Sequence, residues 1–294
     1  MPYRREILFL SDLDGTLLDR AASLPPADAE RINRLTAEGV RISFATARTV
    51  RSVKTILSAV DFSHPGCAPV ALMNGVMIRD MREGRYLAVE HIPRDSAAAL
   101  LEAMDETGAE PFVYTCDPSR PVEGDPLLTS YRKIGNEAMR RFRDERVEKY
   151  GKPFRVFRSL EELAGEIVYF CVIGSEALIR ETARAAGEVP RVRLTYYPDA
   201  YLPGVWYLEI FSETASKGRA VEFLRRHTGA EAVVVFGDNR NDLPMFEAAD
   251  FSVAVSTAAD EVKSAADAVT DSVTEMIERI AEGGVVVSGQ GGAR

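Results

Sequence analysis

The stretch Ile7-Leu8-Phe9-Leu10-Ser11-Asp12-Leu13-Asp14-Gly15-Thr16-Leu17 decides how the chain is read. An apolar run this short, closed by turn residues, predicts a strand over Ile7 to Ser11 that is buried on both faces. Asp12 and Asp14 then stand just past its carboxyl end, the edge at which open α/β sheets bind ligands. An ordinary turn is the competing reading, because Asp and Gly are common turn residues. A calcium-binding loop is excluded: counted from Asp12, Leu17 occupies the position that needs glycine and Ser23 the one that needs glutamate. Two acids one residue apart can divide the work of nucleophile and proton carrier.

Working outward, similar apolar runs at Val40 to Ala45, Val70 to Met73, Ala232 to Phe236 and Ser252 to Val255 predict further buried strands. Helix-period segments separate them, with Val50, Val53, Leu57 and Val60 on one face of the first. In the last, Val273, Met276, Ile277 and Ile280 share a face, Ser272 and Glu275 read as a capping box, and Gly283 follows the end. This alternation predicts an α/β fold with a Rossmann-like parallel sheet. The middle of the chain differs. A hairpin over Val76 to His91, helices from Asp95 to Asp105 and Asn136 to Tyr150, a strand from Ile167 to Ile173 and a hairpin over Arg191 to Phe211 suggest an α+β insertion. The expected division is a core of residues 1–81 and 210–294 with an inserted domain at 82–209, and a loose Gly-rich tail from Gly289 to Arg294.

Composition narrows the function. The 294 residues are 46% hydrophobic and 28% charged, enough apolar material for one large core or two, which excludes disorder throughout. With 36 Lys and Arg against 45 Asp and Glu, the net charge of −9 gives no overall field for nucleic acid, though a local basic patch stays open. No apolar run approaches the ~20 residues of a membrane span. Arg4 and Arg5 precede too short an apolar run for a secretion signal, so a cytoplasmic location is expected. Cys67, Cys116 and Cys171, like His64, His91 and His227, are too scattered for a zinc site or a Ser/His/Asp triad, and the cysteines read as small buried hydrophobes. No apolar stripe marks a dimer surface.

A second acidic cluster, Gly237-Asp238-Asn239-Arg240-Asn241-Asp242, follows the strand at Ala232 to Phe236, and Pro244 fixes the exit into a helix. Four carboxylates at one sheet edge repel one another unless a cation sits among them, and Mg²⁺, a hard ion with oxygen ligands, suits that need. Thr46, after the second strand, and Lys217, opening a helix, offer the hydroxyl and ammonium that a phosphoryl group requires during transfer. Taken singly, a Thr after a strand is usually an N-cap and a Lys at a helix start usually a solvated side chain.

The order of these elements resembles the haloacid dehalogenase (HAD) superfamily of phosphohydrolases over the whole chain. Asn74-Gly75, Ser216-Lys217-Gly218, the Gly237 to Asp242 cluster and an insertion placed between Thr46 and Lys217 are similar to its type IIB cap, or Cof-like, subclass. Ala47, where glycine is usual, and Ser256-Thr257-Ala258, where Gly-Asn-Ala is usual, depart from the pattern.

The resemblance implies that Asp12 is the nucleophile, forming an aspartyl phosphate, and Asp14 the general acid and base. It implies Mg²⁺ held by Asp12, Asp14 through its carbonyl, Asp238 and Asp242, with phosphate bound by Leu13 through backbone N–H, Thr46, Lys217 and Asn241. The implied activity is hydrolysis of small phosphate monoesters such as sugar or cofactor phosphates, with neither nucleic acid nor membrane as partner. Substrate choice is expected in the inserted cap, where Arg132, Lys133, Arg155, Tyr196 and Asp199 are candidate contacts as well as ordinary surface residues. A phosphomutase of the phosphomannomutase kind and a noncatalytic phosphometabolite-binding protein are the alternatives.

Overall fold

The computed structural model describes residues 4, 6–117, 127–199 and 202–284; the expected tail from Gly289 to Arg294 lies outside them. In chain order the elements are β1 (Ile7–Ser11), α1 (Pro26–Ala37), β2 (Arg41–Phe44), α2 (Val50–Ile56), β3 (Val70–Leu72), β4 (Met77–Asp80), β5 (Arg85–Val89), α3 (Arg94–Thr107), β6 (Pro111–Cys116), β7 (Leu127–Tyr131), α4 (Glu137–Tyr150), β8 (Phe154–Val156), β9 (Glu166–Gly174) and α5 (Glu176–Ala186). They continue as β10 (Val192–Pro198), β11 (Trp206–Ser212), α6 (Lys217–Thr228), β12 (Ala232–Gly237), α7 (Leu243–Ala248), β13 (Phe251–Val255), α8 (Asp260–Ala265), β14 (Ala268–Thr270) and α9 (Val273–Ala281).

The chain divides into two compact units, one of Met1–Ala88 with Ser216–Arg294 and the other of Val89–Ala215. These junctions fall six or seven residues beyond the expected 82 and 209, and the sheets give the reason. β5 joins β3 and β4, so the first unit keeps that hairpin, while β11 pairs with β9 and β10 and belongs to the insertion throughout.

The first unit is built on a five-stranded parallel sheet of order β14-β13-β12-β1-β2, the expected α/β core. Every residue of β1 and β12 is buried, as continuous apolar strands require when helices cover both faces. Their register sets Ser11 beside Phe236 on one side and Phe44 on the other, so the strands end level. β1 leads to β2 on one side and β12 to β13 on the other, which makes the gap above β1 and β12 the topological switch point. The closing helix α9 forms as expected: the Ser272 side chain accepts from Glu275 N, and the helix ends before Gly283.

Three segments are shorter than their periodicity suggests, each because another element captures its end. α2 stops at Ile56: Asn33 of α1 accepts from Asp61 N at 2.8 Å and donates to the Ala59 carbonyl at 2.8 Å, drawing the chain off the helix axis while Val60 stays buried. β3 stops at Leu72 because Met73 turns left-handed (φ 50°) and its N–H donates to the Arg48 carbonyl. Val40 precedes β2 because its N–H returns to Leu35 at the end of α1.

The second unit is a six-stranded sheet of order β10-β11-β9-β6-β7-β8, antiparallel except between β7 and β8. Val113, Phe170, Val172, Leu208 and Ile210 belong to one core with Leu100 and Met104 of α3 and Ile179 of α5. Other sheet residues carry an aromatic ladder, with Tyr114 against Tyr169 and Tyr169 stacked on Phe211. α4 buries only Met139 and Phe142, which explains its high charge; Phe142 stacks on Phe112. Among the described residues no helix is long and apolar enough to cross a membrane.

Candidate active site

The loop after β1 is wound tightly. The Leu13 carbonyl accepts from the N–H groups of Thr16, Leu17 and Leu18 at 3.3, 3.0 and 2.9 Å, and Gly15 takes φ 78°. A Cβ on Gly15 would lie 2.4 Å from Asp238 Oδ2, so glycine here leaves room for the Asp238 carboxylate against the β1 loop. Thr16 Oγ1 donates to Asp238 Oδ1 at 2.9 Å and ties the loops together.

Lys217 reaches the same place from below. Ser216 caps α6 by accepting from Arg219 N, which directs the first helical residue into the sheet edge. The Lys217 side chain is fully buried, and Nζ donates to Asp12 Oδ1 and to Asp242 Oδ1, each at 2.6 Å. Asp242 Oδ2 accepts from the N–H groups of Asp238 and Asn239 at 3.0 and 3.1 Å. Both oxygens of Asp242 are therefore engaged, one by the lysine and one by its own loop.

Negative charge exceeds positive here. Burial pushes the Asp12 carboxyl well above the usual carboxylate range; Lys217 opposes the shift, and the neighbouring Asp242, Asp238 and Asp14 add to it. Asp238 is pushed up to about 6, first by burial and then by Asp242. Burial alone would lower the Lys217 ammonium, but Asp12 and Asp242 outweigh it and hold the group above the ordinary lysine value.

One carboxylate oxygen each from Asp12, Asp238 and Asp242 lie within 4.8 Å of one another. Oxygens on opposite sides of a Mg²⁺ ion are about 4.2 Å apart, so this all-oxygen, charge-rich cluster suits the ion with small adjustments. Asp242 would meet the ion with an oxygen that already accepts a hydrogen bond.

The remaining expected residues surround this centre. Leu13 and Thr46 are fully buried. Thr46 N donates to the Ala71 carbonyl, and its Oγ1 accepts from Arg48 N at 3.1 Å. Asn241 turns toward Asn74, with Nδ2 3.4 Å from Asn74 Oδ1. Asp14 does not join the cluster around Lys217. Arg48 grips it bidentately, with Nε donating to Oδ2 at 2.6 Å and Nη2 to Oδ1 at 2.5 Å. Sequence reading missed Arg48; its position two residues after Thr46 was the available signal.

Four of the five candidates in the inserted unit are already engaged within it. Arg132 pairs with Asp105 and Glu110, Lys133 pairs with Glu110, Tyr196 lies under the Arg180 guanidinium, and Asp199 accepts from Leu202 N. Arg155 lies in β8. The cysteines form no disulfide among the described residues; Cys116 and Cys171 are buried as expected, whereas Cys67 is only half-buried, and burial pushes Cys67 up to about 11 and Cys171 higher still, away from a reactive thiolate.

A family model described as haloacid dehalogenase-like hydrolase matches residues 9–277. The 5-amino-6-(5-phospho-D-ribitylamino)uracil phosphatase YwtE of Bacillus subtilis (strain 168) is 25% identical over 278 residues, covering 90% of this chain and 92% of that protein. Pyridoxal phosphate phosphatase YbhA of Escherichia coli (strain K12) is 26% identical over 283 residues, covering 90% and 95%. The solved structure of the HAD subclass IIB sugar phosphatase BT4131 superposes with a TM-score of 0.68 at 19% identity, covering 95% of this chain and 99% of that one, a likeness of fold.

Proposed function

The chain belongs to the haloacid dehalogenase-like hydrolases and is an enzyme of their phosphatase kind, and from that footing we propose that it hydrolyses small phosphate monoesters, Mg²⁺-dependently, through an aspartyl phosphate on Asp12. The observation that carries this reading is the pair of 2.6 Å bonds from Lys217 to Asp12 and Asp242, beside an Asp238 that Thr16 draws toward the β1 loop.

In the first step an Asp12 carboxylate oxygen attacks phosphorus as the ester P–O bond breaks, and the departing oxygen takes the proton of Asp14. Asp14 then removes a proton from water as the water oxygen attacks phosphorus. The bond from phosphorus to Asp12 breaks, inorganic phosphate leaves, and both acids return to their starting states. Lys217, the Thr46 hydroxyl hydrogen, the Asn241 amide and backbone N–H near Leu13 hold the phosphoryl oxygens, where positioning and charge carry most of the catalysis. Asp12, Asp238 and the Asp14 carbonyl, with Asp242, would hold Mg²⁺, whose charge would offset repulsion between the carboxylates and the incoming phosphate. We place substrate selection in the inserted unit, acting as a cap.

The test is phosphate release from an ester panel, including sugar phosphates, pyridoxal phosphate and 5-amino-6-(5-phospho-D-ribitylamino)uracil, with Mg²⁺ and with EDTA. Turnover lost in EDTA and in Asp12→Asn supports the reading, and equal turnover in Asp12→Asn and wild type overturns it.

A further inference from the structure

The grip of Arg48 on Asp14 poses a question for the reaction above. A carboxylate whose two oxygens both accept from a guanidinium fork is not placed to hand a proton to an ester oxygen, so Asp14 must leave Arg48 at each turnover. The fork itself is anchored. Arg48 Nη1 donates to Ser52 Oγ on α2 at 2.9 Å, its backbone N–H donates to Thr46 Oγ1, and its carbonyl accepts from Met73 N. When Asp14 swings away, the guanidinium therefore stays tied to Ser52 by Nη1, with Nε and Nη2 turned to the ground the acid has vacated. The pair is open to solvent, with 43% of the Asp14 side chain and 20% of the Arg48 side chain exposed, so an incoming molecule can reach it.

We propose that Arg48 is a two-partner clamp: it holds Asp14 in the resting enzyme and exchanges it for an oxyanion on the leaving-group side of the substrate, so that the enzyme prefers phosphate esters bearing a second anionic group close to the ester oxygen. This rests on the phosphatase reading and names the substrate class for the same site. A planar guanidinium matches a carboxylate or phosphate with two parallel bonds, whereas a hydroxyl offers one contact and no charge. An anionic leaving group replaces what Arg48 loses and frees the acid in the same movement. A neutral polyol offers Arg48 no charged pair to exchange for Asp14, and the acid returns to it. Recognition of the leaving group is thereby coupled to delivery of the proton that its departure requires.

The test compares 2-phosphoglycerate with glycerol 2-phosphate, which differ by a carboxylate in place of a hydroxymethyl group. p-Nitrophenyl phosphate, whose leaving group departs without a proton, serves as reference. Because the two alcohols differ in intrinsic reactivity, their kcat/KM ratio is read against variants. The wild-type ratio of 2-phosphoglycerate to glycerol 2-phosphate is expected to exceed that of Arg48→Ala by about tenfold to a hundredfold, the range for a charged hydrogen-bond pair. In Arg48→Ala the preference is lost chiefly through a higher KM for 2-phosphoglycerate, and Arg48→Lys, which keeps the charge but not the fork, keeps only part of it. A wild-type ratio no higher than that of Arg48→Ala overturns the clamp. If Arg48→Ala does not fold, an unchanged ratio in Arg48→Lys overturns it instead. Hydrolysis of p-nitrophenyl phosphate without any preference overturns the clamp alone, whereas no hydrolysis of any ester by wild type overturns the phosphatase reading and the clamp with it.

Discussion

Thr16 Oγ1 and Asp238 Oδ1 meet at 2.9 Å across 222 positions of chain, and this bond sets how close the two acidic loops stand. A hydroxyl donating to a carboxylate is worth about 1.5–3 kcal/mol, and the same bond lowers the Asp238 pKa against the burial that raises it. Thr16→Val keeps the shape and removes the donor. The Mg²⁺ concentration for half-maximal activity should rise by about tenfold or more. An unchanged metal requirement would show that the bond does not position Asp238.

Gly15→Ala tests the same approach sterically. The added methyl group would sit 2.4 Å from Asp238 Oδ2 at a backbone φ of 78°. Strain at such a position costs about 1–3 kcal/mol, and relief requires Asp238 to move. Thermal denaturation should reveal the lost stability, and activity should fall even at saturating Mg²⁺. A variant as active and as stable as wild type would refute the close approach.

Lys217→Met removes the ammonium between two buried carboxylates. Breaking a buried ion pair from one side costs about 3–5 kcal/mol, because the partner charge is left uncompensated. Urea denaturation should show that loss, and turnover should fall to background. The double variant Lys217→Met/Asp242→Asn should regain part of the stability and none of the activity. If Lys217→Met alone is as stable as wild type, the bridge contributes nothing to the fold.

The raised Asp238 pKa gives stability a definite pH dependence. With its pKa at about 6 in the folded protein against an ordinary 3.8, Asp238 binds its proton more tightly when folded. Its contribution is complete below about pH 4 and is lost as pH rises through about 6. In EDTA the melting temperature should therefore decline across that interval. Mg²⁺ favours the ionised carboxylate, so it should raise the melting temperature more at about pH 7.5 than at about pH 5. An equal effect at both values would place the metal away from Asp238.

Much of this was legible in the chain. Ile7 to Ser11 and Ala232 to Phe236 are continuous apolar runs, and such runs are stable only as strands covered on both faces, so the polar residues that follow them must emerge at one edge. Ser272 and Glu275 announced the start of α9 because capping is a local interaction. Local pattern failed where a distant residue intervened. Asn33 ends α2 early, and β11 belongs to the inserted sheet because it pairs with β9.

The sequence by itself determined the α/β core, the insertion within it, and which acids, hydroxyl and lysine stand at the strand ends, since these follow from the period of burial and the residues that break it. Only the tertiary structure decided what each acid does with its oxygens: Asp12 and Asp242 share one lysine, Asp238 leans on Thr16, and Asp14 is held by Arg48. Hydrogen bonds are satisfied by whatever lies within about 3 Å in space, and spacing along a chain does not report that distance.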